Sequence, residues 1–582
     1  MNVPLRSSGR IRLLVGITTA VVAVFVVRLF YVQVMQHEYY VRQADSEQIK
    51  KFTLNATRGE IYAMDGDTPT ALVMNETVYT VWADPTLVTD KSAVISTLKE
   101  IAGGNVRSNF EQYLDTEDSR YQVLATKVTR VQAEKIKEKK LAGIGFDATT
   151  QRVYPEGQLA SQILGFVNSE NKGVYGFEQA NNEELSGKNG VLKTVTDVRD
   201  VPLTVTDKNI KEAAVNGKNM VLTIDRNVQS KVEEALANGV SNSGASSASA
   251  IVMDPQTGKV IAMANVPTYD PTNLNVSDVA VFNNNTISNP YEPGSDIKTF
   301  TVVTGIDKGV ITPDSTYYNT GQIDVEDITI NNATKSAAVS GTISMQTALN
   351  WSLNTGMVTI AQRLGNGSYI TRGARDTIYS YFHDKFKLGE TTGIELAGEA
   401  AGTIISPEQQ EGNAVRYSNM VFGQGMDATM LQVASGFCAI VNGGIYHTPT
   451  IVNGTIDDDG NFTAAALKEQ TRVISEETST TVREMVHQAH YATYNPHDGS
   501  DVFLVGGKTG TSETIVNGKY VSDQTIGTYL GYGGEQGQIP RYVIMIEISA
   551  DGKDMGGGSD AKPIFNEISN WMLNYYRLMP QS

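Results

Sequence analysis

Residues 291–309 read YEPGSDIKTFTVVTGIDKG. Pro293-Gly294 ends an extended stretch, and Ser295 opens a helix whose apolar residues include Ile297, Phe300 and Ile306. Lys298 stands one turn after Ser295, which places both side chains on one helix face. A serine hydroxyl is a weak nucleophile until a base takes its proton. A neighbouring amine can serve when burial and nearby cations lower its pKa. The helix N-terminus also favours the negative charge that develops there. The same Ser-x-x-Lys spacing recurs at Ser96/Lys99, Ser169/Lys172 and Ser559/Lys562, where a solvated helix surface explains it. Ser295 is set apart by the Pro-Gly that leads into its helix.

Two further motifs follow in the chain. Ser352-Leu353-Asn354, within TALNWSLNTGM, reads as a short loop between helices. A Ser or Asn helix cap is the ordinary reading. The chemical reading is a hydroxyl that relays a proton and an amide that positions a substrate carbonyl. Lys508-Thr509-Gly510-Thr511 follows the apolar run Val502–Val505 and sits on a strand, where Gly510 lets a ligand backbone approach closely. Lys508 and the Thr511 hydroxyl suit a carboxylate, and a backbone N–H of this strand can join that of Ser295 as an oxyanion hole. The plain alternative is an edge strand with a solvated lysine.

Around these motifs the chain reads as a multi-domain α/β protein. NMVLTIDRNVQSKVEEALANGV (219–240) is a strand followed by a helix. ASAIVMDPQTGKVIAMANV (248–266) is a hairpin about the turn Asp254–Gly258. FLVGGKTGTSET, TIGTYLGYGG and RYVIMIEISAD are three more strands, and AKPIFNEISNWMLNYYRLM is an amphipathic helix with Ile564, Phe565, Ile568, Trp571 and Met572 on one stripe. The expected result is an antiparallel sheet sandwiched by helices, with a helical subdomain inserted, over residues 221–582. Residues 35–220 alternate short strands and polar helices and read as a separate mixed α+β module.

The N-terminus decides the compartment. Arg6, Arg10 and Arg12 precede an apolar run, and no acidic residue stands before Glu38. Ile11 to Val34 spans roughly 36 Å as a helix, enough for a hydrocarbon core of about 30 Å. Arg28 lies near the far interface, where it snorkels beside Tyr31. A cleaved signal peptide shares this charge pattern, but the flank Arg28-Leu29-Phe30-Tyr31 offers no small-residue cleavage site. The segment 13–34 is therefore read as a single uncleaved anchor in the cytoplasmic membrane. Residues 1–12 are inside and the remainder outside. With 47 basic and 64 acidic residues the net charge is −17, unsuited to a nucleic-acid partner. A single cysteine, Cys438, excludes an internal disulfide and a Cys-built metal site. Neither a metal nor an organic cofactor is expected.

Ser-x-x-Lys, Ser-x-Asn and Lys-Thr-Gly, in this order within one domain, resemble the signature of penicillin-binding proteins and serine β-lactamases. The resemblance extends to the pedestal of class B penicillin-binding proteins. It is carried there by Arg58-Gly59-Glu60-Ile61, Arg152-Val153-Tyr154-Pro155 with Gly157, Ala160 and Gly165, Gly173, Gly176 and Glu178, and Leu185-Ser186-Gly187. Leu222-Thr223-Ile224-Asp225 with Gln229, Asp254-Pro255 with Thr257-Gly258, and Gly423-Gln424-Gly425 continue it. The resemblance implies a monofunctional peptidoglycan D,D-transpeptidase of the division type. Ser295 would attack the penultimate D-Ala of a D-Ala-D-Ala stem peptide, and Lys298 would take the serine proton. Ser352 and Asn354 would relay a proton and hold the substrate amide. Lys508, Thr509, Gly510 and Thr511 would bind the terminal carboxylate, with the N–H groups of Ser295 and Thr511 at the oxyanion. An amine from a second stem would complete the cross-link, and β-lactams would acylate Ser295. A polytopic membrane glycan polymerase and divisome proteins would be partners. The same motifs serve a D,D-carboxypeptidase or β-lactamase, and a non-catalytic sensor or scaffold is a third reading.

Departures and decoys complete the reading. Ala63-Met64 replaces an acidic-basic pair of the pedestal pattern. Asp296-Ile297 stands where the family commonly has Thr-Phe, and Asp296 is expected to point away from the pocket, since residue i+1 leaves the Ser295 face. His487 and His490 are read as surface residues, and Cys438 as core.

Overall fold

The computed structural model describes residues 9–40, 49–116, 118–195, 210–333, 339–493, 502–516 and 519–580. Arg6, which the charge argument uses, lies outside the described residues. The chain divides into two compact units, residues 1–57 with 187–217 and residues 58–186 with 218–582.

In the first unit, α1 (Gly9–Phe30) runs on through a π turn at Tyr31–Met35, so 27 residues form one exposed rod whose most apolar 18-residue stretch has a mean hydropathy of 2.4. At 1.5 Å per residue the rod is about 40 Å long, sufficient to cross a bilayer with tilt. Arg28 lies over the Tyr31 ring, 5.6 Å from its centroid. Thr18 and Thr19 turn their hydroxyls back to the carbonyls of Leu14 and Val15, which hides both polar groups within the helix. A three-stranded antiparallel sheet, with Gly190–Val195 between Ile49–Leu54 and Ile210–Glu212, completes this unit.

The second unit contains two large sheets. In one, Asn219–Asp225 runs between Val452–Ile456 and Ile61–Asp65, and the sheet continues through Thr68–Ala83 to Gln122–Thr129 and Ile144–Val153. Beside it, Glu178 is fully buried between two arginines. Arg58 donates from Nε at 2.8 Å and again from Nη2, and Arg152 donates from Nε at 2.9 Å. The Arg58, Arg152 and Glu178 motifs thus form one buried ionic cluster that ties three chain segments together. Ala63, at the position of the missing pair, is fully buried in the core.

The other sheet carries the Lys508-Thr509-Gly510-Thr511 motif. Asp225 caps α2 (Arg226–Ser243) by accepting from the N–H groups of Asn227 and Val228. Then come β1 (Ser247–Met253) and β2 (Val260–Val266), the hairpin expected about Asp254–Gly258. After α3 (Lys298–Asp307), α4 (Asn354–Leu364), α5 (Met430–Val441) and α6 (Glu476–Thr493), the chain returns as β3 (Leu504–Val516), β4 (Lys519–Gly534) and β5 (Tyr542–Ser549). It closes with α7 (Lys562–Tyr575). The strand order is β2-β1-β5-β4-β3, antiparallel throughout, with β3 at an edge.

Period-2 alternation assigns the two faces. Ala250, Val252, Ile544 and Ile546 pack against Val232 and Leu236 of α2 and Phe565 and Ile568 of α7. Ile251, Met253, Leu530 and Met545 face Phe300 of α3 and the wholly buried α5. Helices therefore sandwich the sheet, as the sequence implies. Cys438 is buried in α5. His490, expected at the surface, is buried where α6 packs on β3, and its Nδ1 pairs with the Tyr529 hydroxyl. His487 is half-buried and pairs through Nδ1 with the carbonyl of Val505 at 2.7 Å.

Candidate active site

Gly294–Ile297 forms a 3₁₀ turn, and the α-helix α3 begins only at Lys298. In a 3₁₀ turn residues i and i+3 eclipse, so the turn aligns Ser295 with Lys298 more closely than an α-helix does. Ser295 is half-buried at the mouth, while Lys298 is 1% exposed. Gly294 sits at φ +57°, and a Cβ there would lie 2.8 Å from the Thr511 carbonyl oxygen. On its other side Gly294 N–H donates to the Gly423 carbonyl at 3.0 Å, and a Cβ on Gly423 would lie 1.9 Å from the Gly294 oxygen. Three backbones are stacked here with no room for a methyl group. Gly423 therefore buttresses the turn that carries Ser295.

Lys298 Nζ donates to the Ser352 carbonyl at 2.6 Å and to Ser352 Oγ at 3.1 Å. Burial holds its ammonium well below the ordinary lysine range, and the charge of Lys508 depresses it further. This is the condition the sequence argument sets for an amine base. Ser352 has φ +54°, a left-handed conformation that costs roughly 1 kcal/mol in a non-glycine residue. The two bonds to Lys298 hold it there. Asn354 is the first residue of α4, and its Nδ2 donates to the Asn331 carbonyl at 2.9 Å. The structure thus joins Lys298 to Ser352 and places the Asn354 amide on the neighbouring strand Ile328–Asn331.

Lys508 is 5% exposed, so the solvated-lysine alternative fails even though β3 is an edge strand. Its Nζ donates to the Thr509 carbonyl at 2.8 Å, with Thr509 Oγ1 at 3.5 Å. Burial lowers its pKa from the ordinary lysine value. Thr509 is half-buried and Thr511 exposed on the opposite side of the strand. Thr511 Oγ1 donates to the Gly510 carbonyl at 2.9 Å, and Gly557 N–H reaches Thr511 Oγ1 at 3.5 Å.

Gly510 makes room for the protein itself on its buried face: a Cβ there would lie 2.1 Å from Thr528 Oγ1 and 2.9 Å from Asp296 Oδ2. Asp296 leaves the Ser295 face, as expected, and turns inward onto the sheet. It is fully buried, and Oδ2 accepts from Thr528 Oγ1 at 2.7 Å. The roughly 120° step of a 3₁₀ turn carries residue 296 off the Ser295 face and onto the sheet. Burial raises its carboxyl above the usual range, while the Thr528 bond and the Lys508 charge oppose that rise. Its electrostatic partner is Lys508, not Lys298.

Farther along β3 a cleft of about 440 Å³ is lined by Glu513, Tyr520, Arg416, Asn419 and Gln424 among others. Sequence reasoning does not find it, because its walls come from two segments far apart in the chain, residues 411–425 and the β3–β4 hairpin that carries Glu513 and Tyr520.

Comparison with known proteins follows from this geometry. The pattern of the penicillin-binding protein transpeptidase domain matches residues 248–570, and that of the penicillin-binding protein dimerisation domain matches residues 53–222. The chain is 30% identical over 451 residues to penicillin-binding protein PbpB of Mycolicibacterium smegmatis, covering 75% of this chain and 67% of that protein. It is 27% identical over 593 residues to peptidoglycan D,D-transpeptidase FtsI of Escherichia coli, covering 99% and 93%. Among solved structures, a peptidoglycan synthetase from Bifidobacterium adolescentis superposes with a TM-score of 0.71 at 25% identity, covering 92% of this chain and 98% of that one.

Proposed function

Because this chain belongs to the penicillin-binding protein transpeptidase family, we propose that it cross-links peptidoglycan stem peptides through an acyl-enzyme on Ser295. The observation that carries the assignment is Lys298: buried, three residues after Ser295, bonded to Ser352 and held below the ordinary lysine range. Neutral Lys298 accepts the Ser295 proton as Oγ attacks the carbonyl carbon of the penultimate D-Ala. The C–N bond to the terminal D-Ala breaks, and the proton passes by way of Ser352 to the leaving amine. Lys508 supplies the charge, and Thr509 and Thr511 the hydroxyls, that hold the terminal carboxylate. The N–H groups of Ser295 and Thr511 receive the oxyanion, and Asn354 receives the substrate amide once it leaves Asn331. The amine of a second stem then attacks the ester, the C–O bond breaks and Ser295 recovers its proton. Water in place of that amine gives a carboxypeptidase, and product analysis separates the two.

The finer assignments are part of the same proposal. The domain boundaries are 1–12, 13–34, 35–220 and 221–582. The N-terminus lies inside, the catalytic domain outside, and a polytopic glycan polymerase and divisome proteins are the partners. The match to peptidoglycan D,D-transpeptidase FtsI along nearly its whole length supports the division role. Intact-mass spectrometry of the detergent-purified full chain with a labelled penicillin tests the central claim. We expect one adduct, mapped to the Ser295 peptide and absent in Ser295→Ala. An adduct that survives that substitution overturns the assignment.

A further inference from the structure

A row of polar residues crosses the five-stranded sheet on its α3 face. Cα pairing places Asn265 opposite Ser249, Ser249 opposite Glu547, Glu547 opposite Thr528 and Thr528 opposite Gly510. Ser249 Oγ donates to Asn265 Oδ1 at 2.9 Å, and at the far end Thr528 Oγ1 donates to Asp296 Oδ2 at 2.7 Å. The row therefore ends on a carboxylate that belongs to the nucleophile turn and rests on Gly510. Lys508 is two residues before Gly510 on the same face of β3, roughly 7 Å along the strand.

We propose that Asp296 is a positioning residue for the transpeptidase reaction: seated on Gly510 and held by Thr528, its carboxylate is the counter-charge beneath β3 that keeps Lys508 an ammonium for the substrate carboxylate above. This rests on the reading of the site given under the proposed function and adds a residue that reading does not use. Four observations support it. Asp296 is fully buried, so its field on Lys508 is not screened by water. Its Oδ1 has no hydrogen-bond partner among the described residues, so Thr528 alone holds the carboxyl by hydrogen bonding. Among the described residues Lys508 Nζ bonds only to neutral oxygens of Thr509, which leaves Asp296 as the anion that acts on it. Glycine at 510 leaves the space that the carboxyl occupies.

The other titratable groups around Asp296 are identifiable. Tyr291 precedes the turn, buried, with its hydroxyl unpartnered among the described residues. The Tyr291 phenol is raised well above its ordinary value, by burial first and then by Glu547 and Asp296, so it stays neutral. Glu547 lies one strand beyond Thr528, and burial pushes it up to about 7. Lys298, in the same turn region, is held well below the ordinary lysine range, by burial first and then by the Lys508 charge. Of the groups above neutral pH, Asp296 is the anion whose removal acts on Lys508.

The test is the pH profile of penicillin acylation, read as the second-order rate on the full chain. The rate rises as Lys298 loses its proton and falls as Lys508 loses its own. Removing an anion lowers the pKa of a neighbouring ammonium. In Asp296→Asn, which keeps an acceptor for Thr528, the alkaline limb moves to lower pH by about one unit. The acid limb stays in place, because Lys508 is charged in both proteins there. Thr528→Ser keeps both the hydroxyl that holds the carboxyl and the charge while removing a methyl group, so its alkaline limb stays with the wild type. An unmoved alkaline limb in folded Asp296→Asn overturns the inference, as does an equal shift in Thr528→Ser, which assigns the effect to packing. A wild-type chain that takes no penicillin at any pH overturns the reading of the site, and this inference with it.

Discussion

At the scale of single residues, the site is a lysine made into a base. Lys298 accepts a proton only when neutral. Burial and the Lys508 charge depress its pKa, so acylation rises with pH well below the ordinary lysine value of about 10.4. Lys298→Arg puts a permanently charged guanidinium in its place and should slow acylation by about 10³-fold, measured by stopped flow with a fluorescent penicillin. A retained rate removes Lys298 from the base role. Ser295 and Lys298 are legible in the sequence because their relation is local, three residues apart. Asp296 is not: its hydrogen-bond partner Thr528 is 232 residues away, and no periodicity rule looks that far. The seat that Gly510 gives the Asp296 carboxyl is hidden for the same reason. His490 fails differently, because the strand that buries it lies beyond the helix on which its exposure is judged.

At the scale of elements, the runs read as strands and helices are present, yet the partners of some strands are not those that order along the chain suggests. Asn219–Asp225 looks like the first strand of the catalytic sheet. It instead pairs in parallel with Ile61–Asp65 and antiparallel with Val452–Ile456, while α2 after it packs on the catalytic sheet. The helix expected from Ser295 begins three residues later, since Gly294 enters the turn from a left-handed backbone. The Arg58–Glu178–Arg152 cluster is legible as motifs but not as one contact. Glu178→Gln leaves two buried guanidiniums facing each other without a counter-charge and should cost about 3–5 kcal/mol. The denaturant midpoint of the purified chain measures this, and an unchanged midpoint refutes the cluster's structural role.

At the scale of the whole molecule, one apolar helix and an acidic body define how the chain is deployed. The rod from Gly9 to Met35 has no buried residue and carries Arg10 and Arg12 at its start. We expect the full chain to remain with membranes through an alkaline carbonate wash, and a chain lacking residues 1–36 to be released. Protease added outside intact spheroplasts should digest the Ser295-bearing domain. Its protection there rejects the proposed orientation.

The stacked glycines at the nucleophile have a consequence for how this target changes under selection. Any methyl group at Gly294, Gly423 or Gly557 meets another backbone within 2.8 Å, which a side-chain rotation cannot relieve. A population exposed to an acylating drug therefore has no gradual route through these positions, because their first mutational step already disrupts the fold. Tolerated variation must come from the rim: Glu513 on the open edge of β3, and the walls of the cleft beyond. Inhibitors whose contacts end at the glycine stack leave the fewest escape paths, and each added contact along the rim opens one.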